Sequence, residues 1–222
     1  MGEQNLYRVT ATLYHGKEIV DTTEFNFGIR TVRLVKSDTT DNSGNGEFCF
    51  YVNGVRTYIR GTNWVPLDTF HSRDGERLKK ALDMLLDINC NAVRCWGGSV
   101  YEDHEFFDFC DKNGILVWQD FAMGCATYPQ NREFLEKMRV EAEFIVKKLR
   151  KHMSLALWAG DNECDEAAAY WLDKSLSRDP NKNRITREVI PEVLERLDPY
   201  REYLPSSPYV SERAWLNDNR NG

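Results

Sequence analysis

Apolar residues recur with two different periods along this chain, and the change from one period to the other marks its organisation. Tyr7, Val9, Ala11 and Leu13 alternate with more polar neighbours, the period-two signature of a strand with one covered face. His15-Gly16-Lys17 supplies a turn, and β-favouring residues continue through Phe27 and again from Thr31 to Val35. Ser37 to Gly46 is polar and glycine-bearing, and the composition shifts there, so we expect a domain boundary after residue 36, with residues 1–36 as the last strands of a β-sandwich. Phe48, Phe50 and Val52 then alternate into Asn53-Gly54, the strongest short hairpin signal, and Tyr58 to Trp64 reads as the following strand.

Beyond that point the period becomes helical between short apolar runs. Leu78, Leu82, Leu85 and Leu86 share one stripe before the strand-like Asn91 to Trp96, and Phe106, Phe107 and Phe109 precede Ile115 to Gln119. Leu135, Met138, Ala142, Ile145 and Leu149 form a longer stripe leading into Leu155 to Trp158. Helices over Cys164 to Leu172 and Ile185 to Leu197 come before a fifth strand near Tyr203 to Ser206, and a polar tail runs from Asn217 to Gly222. Strands alternating with helices predict a parallel sheet of α/β type. A closed eight-stranded barrel takes ~250 residues, so residues 37–222 are expected to hold a partial barrel, ending after about the fifth strand.

Composition narrows the function classes without choosing one. A net charge of −6 with no basic stripe disfavours a nucleic-acid partner, and leaves the aromatics as core or as sugar-stacking platforms. Apolar runs are too short to cross a bilayer, so no membrane partner is expected, and the start of the chain lacks a signal pattern. Cellular compartment stays open. The six cysteines form no CxxC pair and read mostly as buried thiols, while the histidines at 15, 71, 104 and 152 lack metal-ligand spacing. No cofactor and no metal is expected.

The run Leu155-Ala156-Leu157-Trp158-Ala159-Gly160-Asp161-Asn162-Glu163 carries the densest chemical signal. Its apolar half suits a buried parallel strand, Gly160 permits a tight exit, and an amide beside carboxyl groups then collects at the strand's carboxyl end, where barrel chemistry sits. A carboxyl group flanked by the Trp158 indole could serve as a general acid, and Asn162 could bond a sugar hydroxyl. A helix cap at Asp161 or Asn162 explains the same residues equally well.

Further segments resolve that tie: Phe27-Gly28-Ile29-Arg30, Arg60-Gly61-Thr62-Asn63-Trp64-Val65-Pro66, Arg94-Cys95-Trp96-Gly97-Gly98, Trp118-Gln119-Asp120-Phe121 and Leu204-Pro205-Ser206-Ser207-Pro208. In order and density they make the chain resemble the β-mannosidase branch of glycoside hydrolase family 2 over nearly its whole length. The resemblance implies the N-terminal part of a (β/α)8 TIM barrel preceded by the last strands of an immunoglobulin-like β-sandwich. It also implies a retaining exo-β-mannosidase that removes terminal β-mannosyl residues, with Glu163 as general acid/base and Asn162 on the sugar's 2-hydroxyl. The family's nucleophile is a glutamate on a later strand, beyond Gly222, so this chain alone is expected to be inactive.

Other rim residues follow from the same resemblance. Arg94 and Trp96 are expected to position the carboxylates and wall the sugar pocket, with a structural ion pair as the other reading of Arg94. Asp120 is expected to bond sugar hydroxyls or to cap a helix. Trp64 and Trp118 read as stacking platforms or as core, and Asp68 as a substrate contact or a solvated loop residue. Glu212, in Ser211-Glu212-Arg213, imitates a nucleophile tripeptide but follows the fifth strand too closely and is read as a loop residue. Another family 2 activity (β-galactosidase or exo-β-glucosaminidase) or a non-catalytic carbohydrate-binding barrel are the alternatives. A carbohydrate is the expected partner, and an open sheet edge with an uncovered inner face is expected to favour self-association.

Overall fold

A computed structural model describes residues 3–37, 47–171 and 177–217. The chain opens with an antiparallel hairpin, β1 (Leu6–His15) and β2 (Glu18–Gly28), turned at Gly16 with φ +65°. Its faces are largely bare: Tyr7, Leu13, Tyr14, Ile19 and Val20 are each more than half exposed. A lone hairpin is marginal in water, and this one is tied to the rest through the segment that follows it. Arg30 donates from Nε to the carbonyl of Met153 (2.7 Å) and from Nη2 to that of Leu155.

Strands β3 (Val32–Lys36), β4 (Phe48–Val52) and β5 (Val55–Thr57) form a separate antiparallel sheet in that order. Asn53 and Gly54, with φ +50° and +77°, make the left-handed two-residue turn that Asn-Gly favours between β4 and β5. β3 pairs with β4 from Val32↔Val52 to Lys36↔Phe48, so a division after residue 36 falls between two strands of one sheet. Most of the intervening loop, residues 38–46, lies outside the described residues.

The main sheet has five parallel strands in the order β10-β9-β8-β7-β6: β6 (Gly61–Trp64), β7 (Ala92–Cys95), β8 (Leu116–Asp120), β9 (Leu155–Ala159) and β10 (Glu202–Leu204). Neighbours in space are neighbours in sequence, each pair joined through helix, which is the connectivity of a TIM barrel built to its fifth strand. α1 (Gly75–Asp87) buries Leu78, Leu82 and Leu85 but leaves Leu86 partly out, while α2 (His104–Asn113) buries Phe106 and Phe107. α3 (Arg132–Leu149) buries every residue of its predicted stripe. Its start is fixed by Asn131, whose side chain accepts from the Phe134 amide (3.0 Å), and α2 ends at the left-handed Gly114. α4 (Cys164–Ala169) is shorter than expected, and Leu172 lies outside the described residues. A π-turn at Ile185–Val189 runs into α5 (Ile190–Leu197), and α6 (Glu212–Asn217) closes the described chain, the rest of the polar tail lying beyond it. No helix among the described residues is long and apolar enough to cross a membrane.

Two apolar cores result. The larger lies between the helices and the outer face of the sheet, around Phe106, Phe107, Leu149, Trp158 and Ile190. The smaller lies inside the barrel, where Val32, Leu34 and Phe50 of the small sheet meet Ala92, Leu116, Leu157 and Ala159. Leu34 also donates its amide to Glu202 (3.0 Å), which fixes the small sheet to the start of β10. Above it the half-barrel encloses a cavity of about 470 Å³ lined by Asn63, Arg94, Trp118 and neighbours on the inner face.

Candidate active site

The carboxyl ends of β7, β8 and β9 bring Arg94, Asp120, Asn162 and Glu163 into one hydrogen-bonded chain. Arg94 and Asp120 sit on adjacent strands, and Arg94 donates to Asp120 from Nη2 (2.7 Å) and more weakly from Nε (3.4 Å). The same Nη2 donates to Asn162 Oδ1 (2.8 Å), and Asn162 Nδ2 in turn donates to Glu163 Oε2 (3.1 Å). Cys125, in the loop after β8, donates its thiol to that same Oε2 (3.2 Å). Two donors on Oε2 leave Oε1 as the carboxyl oxygen without a donor among the described residues.

Main-chain geometry aims these groups. Glu163 has φ +61° and Cys125 φ +56°, left-handed conformations that cost a side-chain-bearing residue roughly 1–3 kcal/mol and that concentrate at functional sites. The backbone of Asn162 extends β9 past its end: its amide donates to Met123 O (3.0 Å), and its carbonyl accepts from Cys125 (2.8 Å). The Glu163 amide donates to Ser207 O (3.0 Å), so the acid-bearing turn is stitched to the loops after both β8 and β10. Glycines make this closeness possible. A Cβ on Gly97 would lie 2.3 Å from Met123 O and 3.1 Å from the Asn162 amide, one on Gly98 would enter the Trp96 indole, and one on Gly160 would lie 2.1 Å from Pro205 O.

Asp120 is buried and accepts two further bonds, from Trp118 Nε1 (2.8 Å) and the Gly97 amide (3.0 Å). Burial pushes its carboxyl up to about 6 against the pull of Arg94 and the other donors, which leaves it ionised at neutral pH. It therefore acts as the counter-charge that holds Arg94, whose guanidinium also lies over the Trp118 ring at 5.8 Å. Trp118 and Trp96 are half-buried beside this network.

Other expected residues lie elsewhere. Trp64 faces the helices, donating Nε1 to Glu102 (2.8 Å) and packing on Phe106 at 4.9 Å between centroids. Asp68 accepts from Arg77 (2.9 Å) and the Phe70 amide (3.0 Å) in the loop before α1. Trp158 is fully buried on the outer side, stacked on Phe121 and donating to Asp198 (2.9 Å), so it does not flank Glu163. Glu212 is the first residue of α6.

One carboxyl group was not anticipated as more than a cap. Asp161 is fully buried, its Oδ1 accepting from Ser206 Oγ (2.5 Å) and from the Cys164 amide (3.1 Å) while Oδ2 has no partner among the described residues. Burial, aided by the nearby Asp165, pushes it up to about 7. Asp165 itself is paired bidentately with Arg187 (2.6 and 2.7 Å). The sequence signal for both was the acidic density of the strand exit.

Comparison with known proteins agrees with the partial-barrel fold. The family described as "Glycosyl hydrolases family 2, TIM barrel domain" matches residues 46–186. Beta-mannosidase B of Thermothelomyces thermophilus is 36% identical over 219 residues, covering 94% of this chain and 26% of that protein. Beta-mannosidase of Bos taurus is 36% identical over 200 residues, covering 86% and 23%. The crystal structure of beta-D-mannosidase from Dictyoglomus thermophilum superposes with a TM-score of 0.85 at 39% identity, covering 96% of this chain and 26% of that one. The chain thus spans about a quarter of the length of these relatives. It belongs to glycoside hydrolase family 2, on the branch of the β-mannosidases.

Proposed function

We propose that this chain supplies the acid/base half of a retaining exo-β-mannosidase, with Glu163 protonating the glycosidic oxygen and later deprotonating water. The observation that carries the proposal is the placement of Glu163 at the carboxyl end of β9, with Oε2 held by Asn162 and Cys125 and Oε1 left to the substrate. In this reading Asn162 also binds the 2-hydroxyl of the sugar. Arg94, locked by Asp120, orients the Asn162 amide so that its NH2 faces Glu163. Trp96 and Trp118 wall the sugar, and Asp120 acts through Arg94. Trp64 and Asp68 hold the surrounding structure. Residues 1–36 correspond in this proposal to the end of an immunoglobulin-like sandwich and residues 37–222 to the barrel.

A retaining mechanism needs a second carboxyl group about 5–5.5 Å from the first. Asp120 and Asp165 are committed to arginines and Asp161 is turned into the protein, so none of them offers a free nucleophile. We assign that role to the part of the relatives that this chain does not span, and expect no turnover from residues 1–222 alone. The test uses a chain extended to the length of its relatives. Glu163→Ala should slow β-mannosides with poor leaving groups ~10²–10⁴-fold more than activated aryl β-mannosides, because acid assistance matters only where the leaving group needs a proton. Equal losses on both substrates would remove Glu163 from the acid role, and β-galactoside or β-glucosaminide preference in the unmodified enzyme would reassign the sugar.

A further inference from the structure

Three residues from two distant stretches of the sequence meet at the opposite end of the sheet from Glu163. α2 runs back from the carboxyl end of β7, so its last turns lie near the amino ends of the strands, the face of a barrel that serves stability rather than chemistry. Asp108 and Asp111 are three residues apart on this helix and share a face. His152 enters from the turn between α3 and β9. Its Nδ1 is hydrogen-bonded to Asp111 Oδ2 (2.7 Å), a shared hydrogen that an ion would replace, and lies 3.6 Å from Asp108 Oδ1; the three ligand atoms lie within 4.8 Å of one another.

We infer that Asp108, Asp111 and His152 form a structural binding site for one divalent transition-metal ion of the zinc class, tying α2 to the turn that starts β9. The donor set is one imidazole nitrogen and two carboxylate oxygens, with water completing the shell on the solvent side, where Asp108 is 61% exposed. Bonds of about 2.0–2.1 Å to a common ion would span the 2.7 Å and 3.6 Å separations at roughly 80° and 120°, which brackets octahedral and tetrahedral angles.

The surrounding residues complete the arrangement. A metal-ligating histidine characteristically donates its second ring N–H to a fixed acceptor, and His152 Nε2 faces His104 Nδ1 at 2.8 Å. With Nδ1 on the ion, the ring proton sits on Nε2 and is donated to His104. Asp111 is oriented through Oδ1, which accepts from the Ser154 amide (2.6 Å), and Phe107 stacks on the His152 ring at 5.0 Å. His152 and Asp111 are nearly inaccessible, so the ion would meet two prefixed ligands and recruit only Asp108 from the surface. The lysines near His104 are turned to other partners, Lys148 to Asp103 (2.7 Å) and Lys151 to the Phe25 ring. None of these residues touches the candidate active site, so the inference stands apart from the proposed reaction.

Co2+ is the probe of choice, since binding to the free cysteines would give intense thiolate charge-transfer absorption whereas an N,O site gives none. The unmodified chain should take up one Co2+ or Zn2+ without that band and unfold at a higher temperature when loaded. Asp108→Asn, an exposed substitution that leaves the fold intact, should weaken binding at least ~10-fold and abolish the thermal shift. His104→Ala should weaken it ~10–100-fold, the usual effect of removing a ligand's orienting partner. Absence of stoichiometric uptake, a thiolate spectrum, or binding unchanged in Asp108→Asn would overturn the site.

Discussion

Asp161 offers the sharpest test of how burial governs the candidate site. Its carboxyl is pushed up to about 7 in the folded chain, against an ordinary value of 3.8 in the unfolded one. The folded state therefore keeps a proton that the unfolded state releases, and stability falls as pH rises from about 4 to 7, then levels off above. Three pH units at 1.36 kcal/mol each amount to about 4 kcal/mol, and no solvent discount applies because the side chain is fully buried. Asp161→Asn keeps the shape and an acceptor for Ser206 and the Cys164 amide while removing the titration. Urea unfolding of both proteins from pH 4 to 9 should give curves that coincide near pH 4 and diverge until pH 7, with Asp161→Asn ahead by up to about 4 kcal/mol at pH 8. Titrating groups that do not interact with Asp161, Asp120 among them, cancel in the difference. Parallel curves, or an Asp161→Asn variant that loses stability at pH 8, would show that the carboxylate finds stabilising partners and that burial does not control it.

Three further outcomes are expected. In a chain extended to the length of its relatives, Asn162→Ala should lower kcat/KM for β-mannosides by about 1–3 kcal/mol, and much less for a 2-deoxy substrate; equal losses would make the residue a spacer. Gly97→Ala, which drives a Cβ into Met123 O, should cost at least ~1–3 kcal/mol by thermal unfolding, whereas Gly75→Ala, with open space around it, should be neutral or stabilising by under about 1 kcal/mol. The 222-residue chain should self-associate in light scattering, through β1–β2 with its exposed Leu13, Ile19 and Val20 and through the outer edges of β6 and β10; a clean monomer at micromolar concentration would refute that.

The helix stripes and the apolar runs located all five parallel strands, because α3 and β9 bury what their periods say they should. Boundaries were less legible. The expected strand from Tyr58 begins only at Gly61, where main-chain pairing with Ala92 starts, and pairing is a property of two segments that one segment cannot announce. The same holds for the site. Glu163 and Asn162 were readable from a motif, but whether a tryptophan faces the barrel interior or the helices depends on the strand's pleat, and Trp64 and Trp158 point outward while Trp118 points in. Cys125 came from no pattern, since it gains its role from a contact 38 residues away, and Asp161 stood in the motif only as a possible cap because its raised carboxyl comes from burial. His104 and His152 lack metal-ligand spacing and yet touch, because α2 and the turn before β9 are brought together only by the fold.

The stitching of Asn162 and Glu163 to neighbouring loops through amides and carbonyls has an evolutionary corollary. Met123, Cys125 and Ser207 contribute backbone groups there, which any amino acid except proline can provide in full. Apart from Cys125, whose thiol also holds Glu163, side chains along these loops are thus free to drift while Glu163 stays where it is. Under the proposed function, new sugar preferences would arise by exchanging what projects from the rim, and a designer who wishes to retarget the pocket should vary those positions first and leave Gly97, Gly98 and Gly160 alone.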